Sequence, residues 1–215
     1  MGKQQLKAWD WANIESDERE WWSIPSKDVF QFMFHLKHHG QRKVYDLGCG
    51  IGRNLFFLLD MGFDVYGSDY SLDAVMEVNK RLCENRIKHE SMTEITEINE
   101  SYDAVIAYNV VYHAYLSDMT KALKNIHRIL KPSGSLLITF QSKKSPSYKK
   151  ELEVEPWTIV KVEGHEAGIP HHYVNRDEIF RLLSDYKIVE MSHVEHEYDN
   201  LKSKGFHYVV TAMKA

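Results

Sequence analysis

Three glycines stand at alternate positions in residues 43–54, KVYDLGCGIGRN: Gly48, Gly50 and Gly52. They follow a short apolar run that carries the carboxylate of Asp46 and precede Arg53 and Asn54. Glycine weakens regular structure, so three in so short a stretch point to a turn where backbone must approach a ligand closely. A strand, a glycine turn and a helix aim backbone N–H groups and the helix N-terminus at one point. A dinucleotide favours G-x-G-x-x-G at such a turn; here the last glycine comes one residue early. Asp46 would also repel a diphosphate, whereas it suits a ligand carrying an ammonium group. The next apolar run, DVYGSDY, closes on Asp69. A carboxylate there can accept hydrogen bonds from both hydroxyls of a ribose, and its charge disfavours a 2′-phosphate.

Further residue types able to do chemistry lie downstream. The stretch YNVVYHAYL supplies Tyr108, Asn109, Tyr112, His113 and Tyr115, and EGHEAGIPHHY supplies His165, Glu166, His171 and His172. His113 is the leading candidate for a general base, with Tyr112 beside it and His172 as a further catalytic candidate. The spacing of His165, Glu166, His171 and His172 fits no standard zinc site, so no metal is assigned and the insert is read first as contacts to a substrate, with a metal as the alternative. Cys49 and Cys83 match neither a zinc nor a disulfide pattern, and Cys49 reads as a small residue filling the turn. His193, His196 and His207 are read as surface or sheet-face residues. Trp9, Trp11, Trp21 and Trp22 crowd the N-terminal region and suggest a water-excluding lid.

The elements that must position these groups follow from hydrophobic period. Residues 26–39 repeat apolar positions at helical spacing behind a Ser26 cap, and Gly40 stops them. KVYDLG is a strand, GRNLFFLLDMG a helix, DVYGSDY a second strand and SLDAVMEVNKRLCEN a helix capped by Ser71. RIKHESM is a weak third strand. Residues 102–110 form a fourth, with the near-continuous apolar content of a strand buried on both faces. DMTKALKNIHRIL is a helix that breaks at LKPSG into a fifth strand, SLLITFQS. Residues 143–175 show no clean period. RDEIFRLLSDY is a helix, and KIVEMSHVEHE and FHYVVTAMKA are strands joined too briefly to be parallel. The expected architecture is α/β: a doubly wound, Rossmann-like, seven-stranded and mostly parallel sheet with a terminal antiparallel hairpin. One domain is expected, with an N-terminal helical lid over 1–40, a cofactor core over 41–142, a substrate insert over 143–175 and the closing helix and hairpin over 176–215.

Glycine turn, Asp46 and Asp69 together imply an adenosine without phosphates that bears a cationic amino-acid tail, and S-adenosylmethionine fits. At this point VYDLGCGIGRN, VYGSDYS, YDAVIAYNVVYH and ILKPSGSLLITF resemble the successive motifs of class I S-adenosylmethionine-dependent methyltransferases, over about residues 43–140. The resemblance implies roles. Asp46 orders the turn and the methionyl amino group, directly or through water. Gly48, Cys49 and Gly50 pass under the methionine part, Asp69 binds the ribose, and Tyr70 lies against the adenine face. HESMTEI departs from the family pattern by placing Ser91 where an adenine-binding Asp is usual, with Met92 over the adenine edge. Tyr108 and Asn109 border the sulfonium and the acceptor. Arg53 touches either the cofactor carboxylate or solvent, and Trp22 joins the cofactor's cover. The implied product is S-adenosylhomocysteine.

Composition narrows the acceptor. A formal net charge of −4 and the absence of a long basic block argue against a nucleic-acid partner. No stretch approaches a membrane span, the N-terminus lacks a signal-peptide core, and a cytoplasmic protein is expected. There is no Asn/Asp-Pro-Pro-Tyr after strand four and no Pro-Cys nucleophile. A small molecule is therefore the expected acceptor. The alternatives are an enzyme modifying tRNA or protein, encouraged only by KKSPSYKK, a non-catalytic S-adenosylmethionine-binding protein, and an NAD enzyme.

Overall fold

The computed structural model describes residues 7–11, 14–198 and 203–215. Parts of the expected lid (residues 1–6, 12 and 13) and the link between the last two strands (residues 199–202) lie outside the described residues. In chain order the elements are α1 (Ser16–Trp21), α2 (Lys27–His38), β1 (Lys43–Leu47), α3 (Arg53–Asp60), β2 (Asp64–Asp69), α4 (Leu72–Leu82), β3 (Ile87–His89), β4 (Tyr102–Ala107), α5 (Leu116–Ile129) and β5 (Leu130–Ser142). A 3-10 turn at Lys150–Leu152 then leads to β6 (Glu153–Glu155), β7 (Thr158–Val160), β8 (Pro170–Val174), α6 (Arg176–Leu182), β9 (Tyr186–Tyr198) and β10 (Ser203–Lys214).

The sheet runs β3-β2-β1-β4-β5, and β10 inserts antiparallel between β5 and β9. Parallel pairing of β1 with both β2 and β4 places β1 where the strand order reverses. Ligands bind at such switch points, outside the carboxyl ends of the strands. The apolar content of β4 has the expected consequence: Ala104, Val105, Ile106 and Ala107 are all fully buried, with helices covering both faces. Helix α5 turns Met119, Ala122, Leu123, Ile126 and Ile129 inward at a 3.6-residue period. On the other face, α2 buries Val29, Phe32, Met33 and Leu36 against a cluster containing Val44, Leu55, Val65 and Leu137.

Three features differ from the sequence expectation. The sheet has ten strands rather than seven, because the insert folds β6 and β7 into an antiparallel ribbon and lays β8 parallel to the end of β5. Helix α2 is part of the core, so the covering segment is confined to the residues before it. Ser26 occupies the N-cap position of α2 without capping it through its side chain; its own N–H donates to Asn54 Oδ1 at 3.0 Å, tying α2 to α3. Ser71 does cap α4, accepting from the Ala74 N–H at 3.5 Å. No helix among the described residues is long and apolar enough to cross a membrane.

Candidate active site

A cleft opens at the carboxyl ends of β1, β2 and β4 and is floored by the glycine turn. The turn is fixed to β2 by hydrogen bonds from the N–H groups of Gly48 and Cys49 to the Ser68 carbonyl, at 2.8 and 3.1 Å. Gly48 and Gly50 both adopt left-handed backbone, with φ of 67° and 54°. A Cβ on Gly48 would sit 2.4 Å from Val110, and one on Gly50 would sit 2.5 Å from the ring of Trp11. Conformation and space therefore both require glycine at these two positions.

Asp69, the last residue of β2, faces the same floor. Its Oδ2 accepts the Gly50 N–H at 2.7 Å and its Oδ1 accepts the Ser71 N–H at 2.8 Å. Burial pushes its carboxyl above the usual range, opposed by the N–H groups of Ser71, Gly50 and Tyr70. With three N–H groups on its four lone pairs, the carboxylate keeps one for the cleft. Asp46 is different. It lies beneath the turn rather than on the cleft wall, 2% exposed, with Oδ2 lacking any hydrogen-bond partner. Burial first, and the negative Asp69 beside it, push its carboxyl up to about 7 against the opposing pull of Arg53. A buried carboxylate with an orphaned oxygen favours a positive group nearby.

At one end the cleft is lined by Tyr70, Ser91, Met92 and Glu90, the last of which the sequence reading did not single out. Glu90 accepts from the Tyr45 hydroxyl and the Thr96 N–H. Ser91 Oγ accepts the Thr93 N–H at 3.2 Å and pairs with the Thr93 hydroxyl at 2.9 Å, leaving one lone pair toward the cleft. At the other end, Tyr108 and Asn109 follow β4. Tyr108 donates to Asp28 at 2.7 Å. Asn109 holds a left-handed φ of 58°, secured by its N–H to Thr139 Oγ1 at 2.7 Å and by the Thr139 hydroxyl to its Oδ1; strained backbone of this kind is common at ligand sites. Arg53 stacks its guanidinium on Trp22 at 4.8 Å and faces Tyr108 at 5.7 Å.

The N-terminal tryptophans divide. Trp9, Trp11 and Trp22 gather over the cleft with ring centroids 5.7–6.0 Å apart, while Trp21 points to solvent. The segment is tied down by Arg19 to the Trp11 carbonyl at 2.9 Å and by Lys7 to the Ala167 carbonyl at 2.8 Å.

Tyr112, His113 and Glu166 make the wall between the floor and the insert. Burial holds Tyr112 as a neutral phenol, and its hydroxyl lies 3.4 Å from Nε2 of His207, so His207 belongs to a half-buried sheet face behind the wall. Glu166 Oε1 lies 3.2 Å from His113 Nε2, and its Oε2 lies 3.2 Å from His171 Nε2. Burial opposes ionisation of Glu166, but the two imidazoles hold its carboxyl well below the usual range. Burial pushes His171 down to about 4. His172 does not reach the cleft. Neighbours on a strand point to opposite faces, so with His171 turned toward Glu166, His172 bonds Thr158 at 2.7 Å and faces Glu178 at 3.5 Å. His165 lies at the rim, stacked on Trp9 and 3.2 Å from Glu18.

Strand order, switch point and glycine floor define a class: the fold is that of the class I S-adenosylmethionine-dependent methyltransferases. Residues 45–138 match the family described as methyltransferase domain. Solved structures share the architecture. A methyltransferase from Methanosarcina mazei superimposes with a TM-score of 0.69 at 18% identity, covering 81% of this chain and 92% of that one. The 1,6-didemethyltoxoflavin N1-methyltransferase of Burkholderia thailandensis does so with a TM-score of 0.66 at 18% identity, covering 93% and 83%. Among curated proteins, the phosphoethanolamine N-methyltransferase of Plasmodium falciparum is 26% identical over 165 residues, 73% of this chain and 61% of that protein. The glycine/sarcosine N-methyltransferase of Aphanothece halophytica is 29% identical over 125 residues, 55% and 47%. The chain spans about half the length of the curated relatives it matches.

Proposed function

We propose that this chain transfers a methyl group from S-adenosylmethionine to a small-molecule acceptor by in-line displacement. One observation carries the reading: the Asp69 carboxylate is locked to the Gly50 N–H, beside a backbone floor that no side chain can share, in a cleft whose far wall is Tyr112 and His113. The residues fit the cofactor. Asp69 would hold a ribose hydroxyl and Tyr70, Ser91 and Met92 the adenine, with Gly48–Gly50 beneath the amino-acid part. Asp46 below the turn would favour its ammonium group through the floor or a bridging water.

When bound, the cofactor supplies an electrophilic methyl on a positively charged sulfur. The chain's own contribution is placement and dryness. Orientation of two reactants can contribute about 7–11 kcal/mol of barrier lowering. Trp9, Trp11 and Trp22 close the cleft over that line and exclude water. The acceptor sits against Tyr112 and His113. Tyr112, whose hydroxyl pairs with His207 behind the wall, packs its ring against the acceptor, and His113 takes the acceptor's proton with Glu166 behind it to stabilise the positive ring.

The relatives named for phosphoethanolamine and for glycine and sarcosine support a small acceptor. The net charge of −4 weighs against nucleic acid, and two cysteines without a disulfide suit a cytoplasmic setting. The test is methyl transfer from cofactor labelled on the methyl group into a panel of metabolite fractions, RNA and protein. Label in a small-molecule fraction that falls at least tenfold with His113→Ala supports the reading. Label in RNA or protein alone, or in no fraction, overturns it.

A further inference from the structure

His113, Glu166 and His171 come from three separate segments, yet one ligand atom from each lies within 4.8 Å of the others. Among the described residues no other three histidine, cysteine or acidic side chains of this chain converge so. The details are those of a cation site. His171 is fully buried, and its Nδ1 lies 3.0 Å from the Ile169 carbonyl. That contact requires the hydrogen on Nδ1, which leaves a lone pair on Nε2 aimed at the Glu166 carboxylate 3.2 Å away. His113 presents its Nε2 to the other carboxylate oxygen at the same distance. Neither Nε2 makes a hydrogen bond. Two imidazole nitrogens, that of His171 bearing a lone pair by its tautomer, thus converge on one carboxylate that Lys161 approaches at a single oxygen. Metal-bound histidines show this same arrangement, the second ring nitrogen donating to a backbone carbonyl that fixes the tautomer.

We propose that His113, Glu166 and His171 bind a divalent transition-metal cation in the acceptor wall of the cleft. Two histidines and one carboxylate form a common ligand set for zinc and iron(II). Each histidine lies 3.2 Å from a different Glu166 oxygen and the three ligand atoms lie within 4.8 Å of one another, so a bound ion would draw them in toward the roughly 3.3 Å edge of a tetrahedron with metal–ligand bonds of about 2.0–2.1 Å. Lys161 closes on the same Glu166 oxygen as His171. A carboxylate oxygen has two lone pairs, so the lysine can remain as an outer partner of the ligating carboxylate. His113 and Glu166 line the cleft, and the fourth position of the ion faces it. This deepens the function proposed above: an acceptor with an oxygen or nitrogen donor would enter that position, and the ion would take over from His113 the task of favouring its deprotonated form.

The test is calorimetric titration of Zn²⁺ into the full chain after chelator treatment and dialysis, with Co²⁺ absorption in the visible as a second readout. Wild type should bind one equivalent at least a hundredfold more tightly than either Glu166→Gln or His171→Ala. His39→Ala, in the exposed histidine pair at the C-terminal end of α2, should bind as wild type does and so excludes adventitious surface chelation. Equal Zn²⁺ affinity in wild type and Glu166→Gln, or loss of the site in His39→Ala, overturns the proposal. S-adenosylhomocysteine titrated into the same samples separates the two readings. Zn²⁺ bound without S-adenosylhomocysteine would leave this site standing and sink the cofactor reading, and the reverse pattern would do the opposite.

Discussion

Asp46 offers a sharp test because the fold makes it costly. Its carboxyl titrates at about 7 rather than 3.8, with burial first and Asp69 second as causes and Arg53 opposing them. A shift of about three units corresponds to roughly 4 kcal/mol at about 1.36 kcal/mol per unit. The sign follows from proton counts. Between about pH 4 and 7 the folded chain keeps a proton on Asp46 that the unfolded chain has released. Stability therefore falls as pH rises through that window, and the full cost is present above about pH 7. Asp46→Asn keeps the shape and removes the charge. The variant should match wild type near pH 4 and exceed it by on the order of 2–4 kcal/mol at pH 8. Denaturant unfolding at several pH values, with unchanged slopes, measures this. The same variant should bind S-adenosylhomocysteine more weakly at pH 8, since the buried charge that favours its ammonium is gone. Cofactor binding by wild type near pH 6.5 should release a proton, seen as a dependence of calorimetric heat on buffer ionisation enthalpy, and the variant should release none. A variant less stable than wild type at pH 8, or one with the same pH slope, would refute the reasoning.

Three further outcomes follow from geometry. Gly50→Ala should abolish cofactor binding in calorimetry while the chain still folds, because φ of 54° and the Trp11 ring leave no room for a methyl group; retained binding would show that the turn is not the floor. Cofactor binding should change tryptophan fluorescence, and Trp11→Ala should remove most of that change, since Trp11 lies directly on Gly50. His172→Ala should lower stability by about 1–3 kcal/mol, since a fully buried ring and its hydrogen bond to Thr158 are lost, and alter kcat/KM less than twofold; a large loss of activity at intact stability would return His172 to the site.

The half of the cleft proposed to hold the cofactor was legible in the sequence because its residues are local. Gly48 and Gly50 sit on one turn, Asp46 lies in the strand just before it, Asp69 ends the adjacent strand, and a parallel α/β sheet places strand ends side by side without further information. The acceptor half was legible only in part. Strands β6 and β7 have three residues each, too few to show a two-residue period, so residues 143–175 read as irregular. Without β8 in view, nothing in HHY says which histidine faces the cleft. The structure turns His171 toward Glu166 and packs His172 on Thr158, and neither lines the cleft. The convergence of His113 with Glu166 and His171 depends on how the β7–β8 ribbon docks on the segment after β4, through the His172 N–H to the Tyr112 carbonyl at 2.9 Å. No spacing rule encodes a contact of that kind. The N-terminal cover was legible as an excess of tryptophan, and the structure adds which rings are used.

The central claim is that Asp69 and the glycine turn hold a nucleoside with a methionine tail. Calorimetric titration of S-adenosylhomocysteine into wild type and Asp69→Asn tests it most directly. A charge-assisted hydrogen bond contributes about 1.5–3 kcal/mol, so weakening the ribose contact should lower affinity by about tenfold or more. Saturable one-to-one binding by wild type with that loss in the variant is the predicted result. No heat of binding in wild type, or equal affinity in the two proteins, would contradict the account.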